Sequence, residues 1–176
     1  MNYAEIKNLD VADGLGIRVS LFVSGCRNHC KGCFNYMTWD FSYGQPFTAE
    51  TEEKILSLLA PPHITGLSVL GGEPFEEENQ QALAPFLEKA KQTFPRKDIW
   101  AWSGYLLDKD LQAADGKKRT EHTQRILDCL DYVVDGKFIE EKKNLALEFR
   151  GSENQRIWKK TAGIWHLASG PGKQFK

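Results

Sequence analysis

No apolar stretch in the chain approaches the roughly 20 residues that a membrane-crossing helix needs. The N-terminus lacks the basic start and apolar run of a secretory signal, so a cytoplasmic protein with no membrane partner is expected. Neither sign of charge dominates: 23 Lys and Arg stand against 24 Asp and Glu, a net charge of −1. That balance gives no general attraction to nucleic acid or to an anionic lipid surface. Internal repeats and low-complexity tracts are missing, as is any Ser-His-Asp arrangement of a hydrolase. Cysteine is scarce, with four in 176 residues, and three of these fall close together. An odd cluster cannot pair within itself, and in a reducing compartment clustered thiols favour metal over disulfides. What remains is an ordinary soluble composition, 41% hydrophobic and 27% charged, long enough to bury a core without staples.

The clustered thiols are Cys26, Cys30 and Cys33, spaced C-x3-C-x2-C. They directly follow Ile17-Arg18-Val19-Ser20-Leu21-Phe22-Val23, an apolar run that predicts a strand inside a covered sheet. Ferredoxin-type clusters use four cysteines. The fourth here, Cys129, stands alone far downstream beside Leu127 and Leu130 and reads as a small buried apolar residue. Three thiols therefore suggest a metal site one ligand short. An iron–sulfur cube held this way keeps one iron free to bind a substrate. The rival is zinc in a Cys3His set with His29. Yet His29 directly precedes Cys30, and ligation by both neighbours strains the loop.

Around this stretch, residues 1–16 read as a polar lead-in that turns at Asp13-Gly14 and Gly16, and 17–24 as the first strand. Phe34, Tyr36, Trp39 and Phe41 either wall a cluster off from water or form ordinary core. Thr48 suits the N-cap of a helix over 49–59, stopped by Pro61-Pro62. A second strand over 64–70 ends in Gly71-Gly72-Glu73-Pro74, and a helix follows over 76–93 with apolar residues at helical spacing. Its opening Glu76-Glu77-Glu78 suits the positive end of the helix dipole. A third strand over 98–102 closes in Ser103-Gly104, and 106–130 is helical in two pieces. A fourth strand over 131–134 runs into Asp135-Gly136. Residues 140–143 read as solvated; one domain is expected over 1–160, with a loose tail over 161–176. Strands alternating with helices predict βαβ units and right-handed crossovers. Ligands in such α/β folds sit at the carboxyl ends of strands, where every motif named above falls.

The spacing of Cys26, Cys30 and Cys33 resembles that of the radical S-adenosylmethionine enzymes. Asp13-Gly14-x-Gly16-x-Arg18, Phe22-Val23-Ser24-Gly25-Cys26 and Cys30-Lys31-Gly32-Cys33-Phe34-Asn35 narrow the likeness to the activating proteins of anaerobic ribonucleotide reductase. Gly71-Gly72-Glu73-Pro74, Trp102-Ser103-Gly104-Tyr105, Val134-Asp135-Gly136-Lys137-Phe138 and Phe149-Arg150-Gly151-Ser152-x-Asn154-Gln155-Arg156 recur in the same order, so the resemblance runs from about Asn2 to Arg156. It implies a truncated form of the radical-enzyme partial (β/α)6 barrel, with a mostly parallel sheet open on one side. It also implies a 4Fe-4S cluster on the three cysteines, with S-adenosylmethionine chelating the fourth iron. Cleavage of that cofactor to a 5′-deoxyadenosyl radical would form a glycyl radical on the reductase's catalytic subunit, with a flavodoxin-type protein as electron donor.

By the same resemblance, Gly71, Gly72, Glu73 and Pro74 match the methionine-binding segment. The glycines would let backbone carbonyls reach the ligand's amino group, Glu73 would offer it a carboxylate, and Pro74 would fix the helix start. Gly32, Cys33 and Phe34 would face the adenine, whose shelf is Phe34 or Trp39. Ser103 would touch the ribose or the carboxylate. Asp135 and Lys137 sit where related activases carry an Asp-x-Lys pair at that carboxylate, Lys137 supplying a point charge. Arg150, Asn154 and Arg156 would position ligand or partner, although Asn154 and Gln155 equally suit a turn cap. The nearer rival is the activase of another glycyl-radical enzyme such as pyruvate formate-lyase, which usually runs longer and fits the Trp-Ser-Gly-Tyr and Phe-Arg-Gly-Ser blocks less well. The farther one is a non-enzymatic zinc or electron-transfer module.

Overall fold

The computed structural model describes residues 1–175; Lys176 lies outside the described residues. Eight strands form one α/β sheet in the order β3-β1-β2-β4-β5-β6-β7-β8. They are β1 (Asn2–Asp10), β2 (Arg18–Val23), β3 (Gln45–Pro46), β4 (Gly66–Gly71), β5 (Asp98–Ser103), β6 (Tyr132–Asp135), β7 (Arg156–Thr161) and β8 (Ile164–Ser169). Helices α1 (Ala49–Leu59), α2 (Glu77–Thr93) and α3 (Thr123–Cys129) link β2 to β4, β4 to β5 and β5 to β6. Each strand of such a unit must return to the sheet in the same direction, and β2, β4, β5 and β6 pair in parallel.

The expected barrel and mostly parallel sheet are corrected here. Three pairings are parallel, while β1 pairs antiparallel with β2 and β3, and β7 pairs antiparallel with β6 and β8. The sheet stays open, with β3 and β8 as its edges. The polar lead-in is itself the nine-residue strand β1, half-buried or exposed along its length. The expected tail begins instead as a hairpin. Ala162 and Gly163 both take positive φ, 51° and 79°, between the paired Thr161 and Ile164. Two left-handed residues are the geometry whose twist matches a two-residue hairpin.

Alternation along the strands divides the interior. Val19, Leu21 and Val23 of β2, Leu67 and Val69 of β4, and Ile99 and Ala101 of β5 join the main core with residues of the three helices. The opposite face carries a smaller cluster around Trp100, Tyr132, Val134 and Ile157. Trp100 stacks on Tyr132 at 4.1 Å between ring centroids, and Phe149 and Phe175 meet it edge-on. Thr48 caps α1 in a reciprocal capping box with Thr51. Pro74 does not start α2: the helix begins at Glu77 with Glu76 as N-cap, so Pro74 belongs to the preceding turn. Among the described residues, no helix is long and apolar enough to cross a membrane.

Candidate functional site

The carboxyl ends of β2, β4 and β5 and the stretch following β6 border one open cavity of about 670 Å³. Cys26, Cys30 and Cys33 form part of its wall, together with Gly71, Gly72, Glu73, Ser103 and Gly104. Gly32, Phe34, Trp39 and Arg150 also line it. Pro74, Asp135, Lys137, Asn154 and Arg156 do not.

All four cysteines are free thiols, and Cys129 is buried in α3 away from the others. Burial pushes Cys26 up to about 11, reinforced by the charge of Glu73 and opposed by the backbone amides of Asn28 and His29. Cys30 is raised by burial, while the Lys137 charge and the Phe138 amide pull it down. Ligation deprotonates a thiol, so a cation must compensate what burial disfavours. Three free thiols on one wall, two of them receiving backbone N–H groups, suit the sulfur ligands of an iron–sulfur cluster, whose sulfurs are commonly hydrogen-bonded. Among the described residues, no three His, Cys, Asp or Glu side chains converge closely enough to share one ion. A cube does not ask that of them, because each thiolate takes a different iron. His29, left-handed at φ 44°, stacks its ring on Trp39 at 4.6 Å.

The turn after β4 is bonded directly to the cysteine loop. Gly72 N donates to the Val23 carbonyl at 2.7 Å, and Glu73 N to the Gly25 carbonyl at 2.9 Å. A Cβ on Gly71 (φ 103°) would come within 2.8 Å of the Val23 carbonyl, and one on Gly72 within 2.7 Å of that of Gly25. The glycines are thus required by the close approach of two backbone segments. Glu73 is 1% exposed, and its carboxylate accepts four hydrogen bonds. Phe75 N (3.0 Å) and Ser103 Oγ (2.8 Å) reach Oε1; Gly104 N (2.7 Å) and Asn28 Nδ2 (3.1 Å) reach Oε2. Those four donors fill a carboxylate's lone-pair sites. What Glu73 offers a cation in the cavity is therefore its charge, not a free oxygen. Burial nonetheless pushes it up to about 7.

Several residues that sequence reasoning missed hold this arrangement. Asn79, fully buried in the first turn of α2, donates through Nδ2 to the carbonyls of Ser24 (3.0 Å) and Glu73 (2.9 Å). Glu76, also fully buried, accepts from Arg27 N, Arg27 Nη1, Tyr105 Oη and Lys118 Nζ. Burial would raise its carboxyl, but the bonds from Lys118 and Arg27 outweigh that and hold it low. Asp13, on the cavity wall, is pushed up to about 7 by burial and by its neighbour Asp10.

Two further expectations meet a different geometry. Asp135, fully buried, is taken up by Arg156, whose Nε and Nη2 donate to it at 2.8 and 2.6 Å, and by Leu107 N at 2.7 Å. Lys137 is exposed. Arg156 also pairs with Asp108, and Asn154 Nδ2 donates to the Lys137 carbonyl, so both act within the 135–156 neighbourhood. Phe34 stands 94% exposed at the cavity's rim.

Comparison with known proteins agrees with this geometry. The 4Fe-4S single cluster domain family matches residues 12–158. Anaerobic ribonucleoside-triphosphate reductase-activating proteins are similar over most of the chain. That of Vibrio cholerae is 42% identical over 159 residues, 89% of this chain and 97% of its own. That of Haemophilus influenzae is 41% identical over 159 residues, again 89% and 97%. That of Pasteurella multocida is 40% identical over 163 residues, 92% and 99%.

Proposed function

Since the chain belongs to the family of anaerobic ribonucleoside-triphosphate reductase-activating proteins, we propose that it activates such a reductase by reductive cleavage of S-adenosylmethionine. Cys26, Cys30 and Cys33 would hold a 4Fe-4S cluster. The bound cluster would supply one electron to the sulfonium, so that a 5′-deoxyadenosyl radical takes hydrogen from a glycine of the catalytic subunit. The observation that carries this reading is the single cavity shared by three free thiols, the Gly71–Glu73 turn and the Ser103-Gly104 strand end.

This chain's own residues bind, orient and shield. The Glu73 carboxylate places a negative charge in the wall where the methionyl ammonium would lie, and its four donors keep it from moving. Ser103 and Gly104 are pinned to that same carboxylate, as is Asn28 of the cysteine loop, so the β5 end and the loop are held side by side. Holding reactants in a fixed geometry removes the entropic cost of their encounter. Hydrogen would move as an atom, so no side chain need serve as acid or base. Exposed Phe34 and Leu145, 94% and 89% accessible, give the cavity an apolar rim on which a protein substrate can seat. A reducing cytoplasm and a flavodoxin-type donor fit this chemistry.

The test is anaerobic reconstitution with iron and sulfide, then reduction with S-adenosylmethionine and a reductase catalytic subunit. Methionine release and a glycyl electron paramagnetic resonance doublet are expected. A cluster whose spectrum ignores S-adenosylmethionine would overturn the reading.

A further inference from the structure

Among the described residues, no carboxylate pairs with Arg150, a buried cation. It is 8% exposed, yet it lines the cavity. Nη1 donates to the Gln155 carbonyl at 2.9 Å, while Nε is buried without a partner among the described residues. Burial lowers its pKa. Four other arginines are paired: Arg18 with Asp98, Arg27 with Glu76 and Glu78, Arg125 with Glu88, and Arg156 with Asp108 and Asp135. A charge buried without a counter-ion is costly, and an incoming anion would relieve that cost. Nε itself is sealed from the cavity, so the donor open to an anion is Nη2, which bonds no acceptor among the described residues.

The other cations near the site suit this task less well. Lys143 lines the cavity but is exposed, and Lys137 is exposed and off its wall. The Asp135 carboxylate is already spent on Arg156. Building on the function proposed above, we propose that Arg150 binds the carboxylate of the methionyl group of S-adenosylmethionine. A carboxylate on the partner protein is the other source of the same chemistry. Arg150 lies within the cavity wall, however, whereas a docked protein meets first the exposed rim at Phe34 and Leu145.

The experiment measures equilibrium binding to the cluster-loaded protein under anaerobic conditions. The two probes are S-adenosylmethionine and its decarboxylated analogue, which keeps the sulfonium, adenine and amino group. A charged hydrogen-bonded pair implies that the wild type prefers the carboxylate form by on the order of 10- to 100-fold. Arg150→Gln should weaken S-adenosylmethionine by that factor and leave the analogue unchanged, since any preference the carboxylate owes to the fourth iron is kept. Arg150→Lys, which keeps the charge but not the guanidinium's donor, should retain part of the preference; it carries the test should Arg150→Gln not hold iron. Lys137→Gln should keep the full preference. An undiminished preference in both Arg150 variants would overturn the assignment. So would equal weakening of both probes, a loss confined to Lys137→Gln, or a loss of reductase affinity with binding of S-adenosylmethionine intact. Failure of the wild type to bind S-adenosylmethionine at all would instead sink the proposed function.

Discussion

Replacing Glu73 with glutamine sets burial against hydrogen bonding at a buried carboxylate that accepts four hydrogen bonds. Burial lifts this carboxyl from 4.5 to about 7, although the Phe75 and Gly104 amides and the Ser103 hydroxyl oppose the shift. A carboxyl whose folded pKa lies above its unfolded value stabilises the fold while protonated. That stability is fully present below the unfolded value of 4.5 and is lost as pH rises through about 7. The displacement corresponds to about 3 kcal/mol, a large share of the roughly 5–15 kcal/mol that holds a domain folded. Glutamine cannot ionise, so Glu73→Gln removes this pH dependence. It adds a constant cost, because its amide nitrogen must face donors that the carboxylate accepted; each donor left unmet costs on the order of 1–3 kcal/mol. Urea unfolding of the full-length chain without its cluster, from about pH 5 to about pH 8, measures both effects. The wild type's advantage over the variant should shrink across that range by most of about 3 kcal/mol. An advantage that is flat or grows with pH would mean that the donors hold the carboxyl at or below its ordinary value, and the reasoning would be refuted.

Alanine at Cys26, Cys30 or Cys33 should abolish iron binding and the brown colour, whereas Cys129→Ala, in buried α3, should keep both; iron content and visible absorption decide it. Arg156→Gln leaves the fully buried Asp135 with Leu107 N as its remaining hydrogen-bond donor, and should cost about 3–5 kcal/mol in urea unfolding. Asp108→Asn removes the exposed arm of that network and should cost under about 1 kcal/mol in the same assay. Gly71→Ala combines a left-handed backbone with a clash against Val23 and should cost about 1–3 kcal/mol or more. Gly163→Ala, also left-handed but in open space, should cost about 1 kcal/mol; equal thermal shifts for the two would contradict the clash.

What was legible in the sequence follows from how local each signal is. The cap at Thr48, the end of α1 near Pro61-Pro62 and the apolar runs of β2, β4, β5 and β6 are written in neighbouring residues, and each predicted boundary falls within a few positions of the observed one. β1 was missed because a half-buried strand near the sheet's edge shows little apolar contrast. The β7–β8 hairpin was missed although Ile157-Trp158 and Ile164-Trp165 flank Ala162-Gly163, which marks its turn. Without those flanking strands, the parallel centre looked like the whole sheet. In the site, Asn28 lies 45 positions from Glu73 and Asn79 55 positions from Ser24, so no periodicity announces these bonds. Arg150 was visible as part of a motif, but its lack of a counter-ion exists only in three dimensions. Asp135 and Lys137 stand at the ligand by resemblance alone, and the pairing of Asp135 with Arg156 is a contact that the motif does not announce.

The ligand site and the cluster loop are therefore one mechanical unit. The loop from Ser24 to Cys33 has no helix or strand of its own, and a free loop would pay conformational entropy for any fixed placement of its thiols. It is held by the segment 73–79: the Glu73 backbone amide, the Glu73 and Glu76 carboxylates, and the Asn79 side-chain amide all bond to it. That same segment, through Glu73, fixes Ser103 and Gly104 beside it. A displacement of the thiols would thus displace this part of the cavity wall, and the reverse. Such coupling gives a physical reason for a Gly-Gly-Glu turn one strand away from a cysteine triplet. The glycines admit the loop's backbone, and the glutamate ties three segments to a single buried carboxylate.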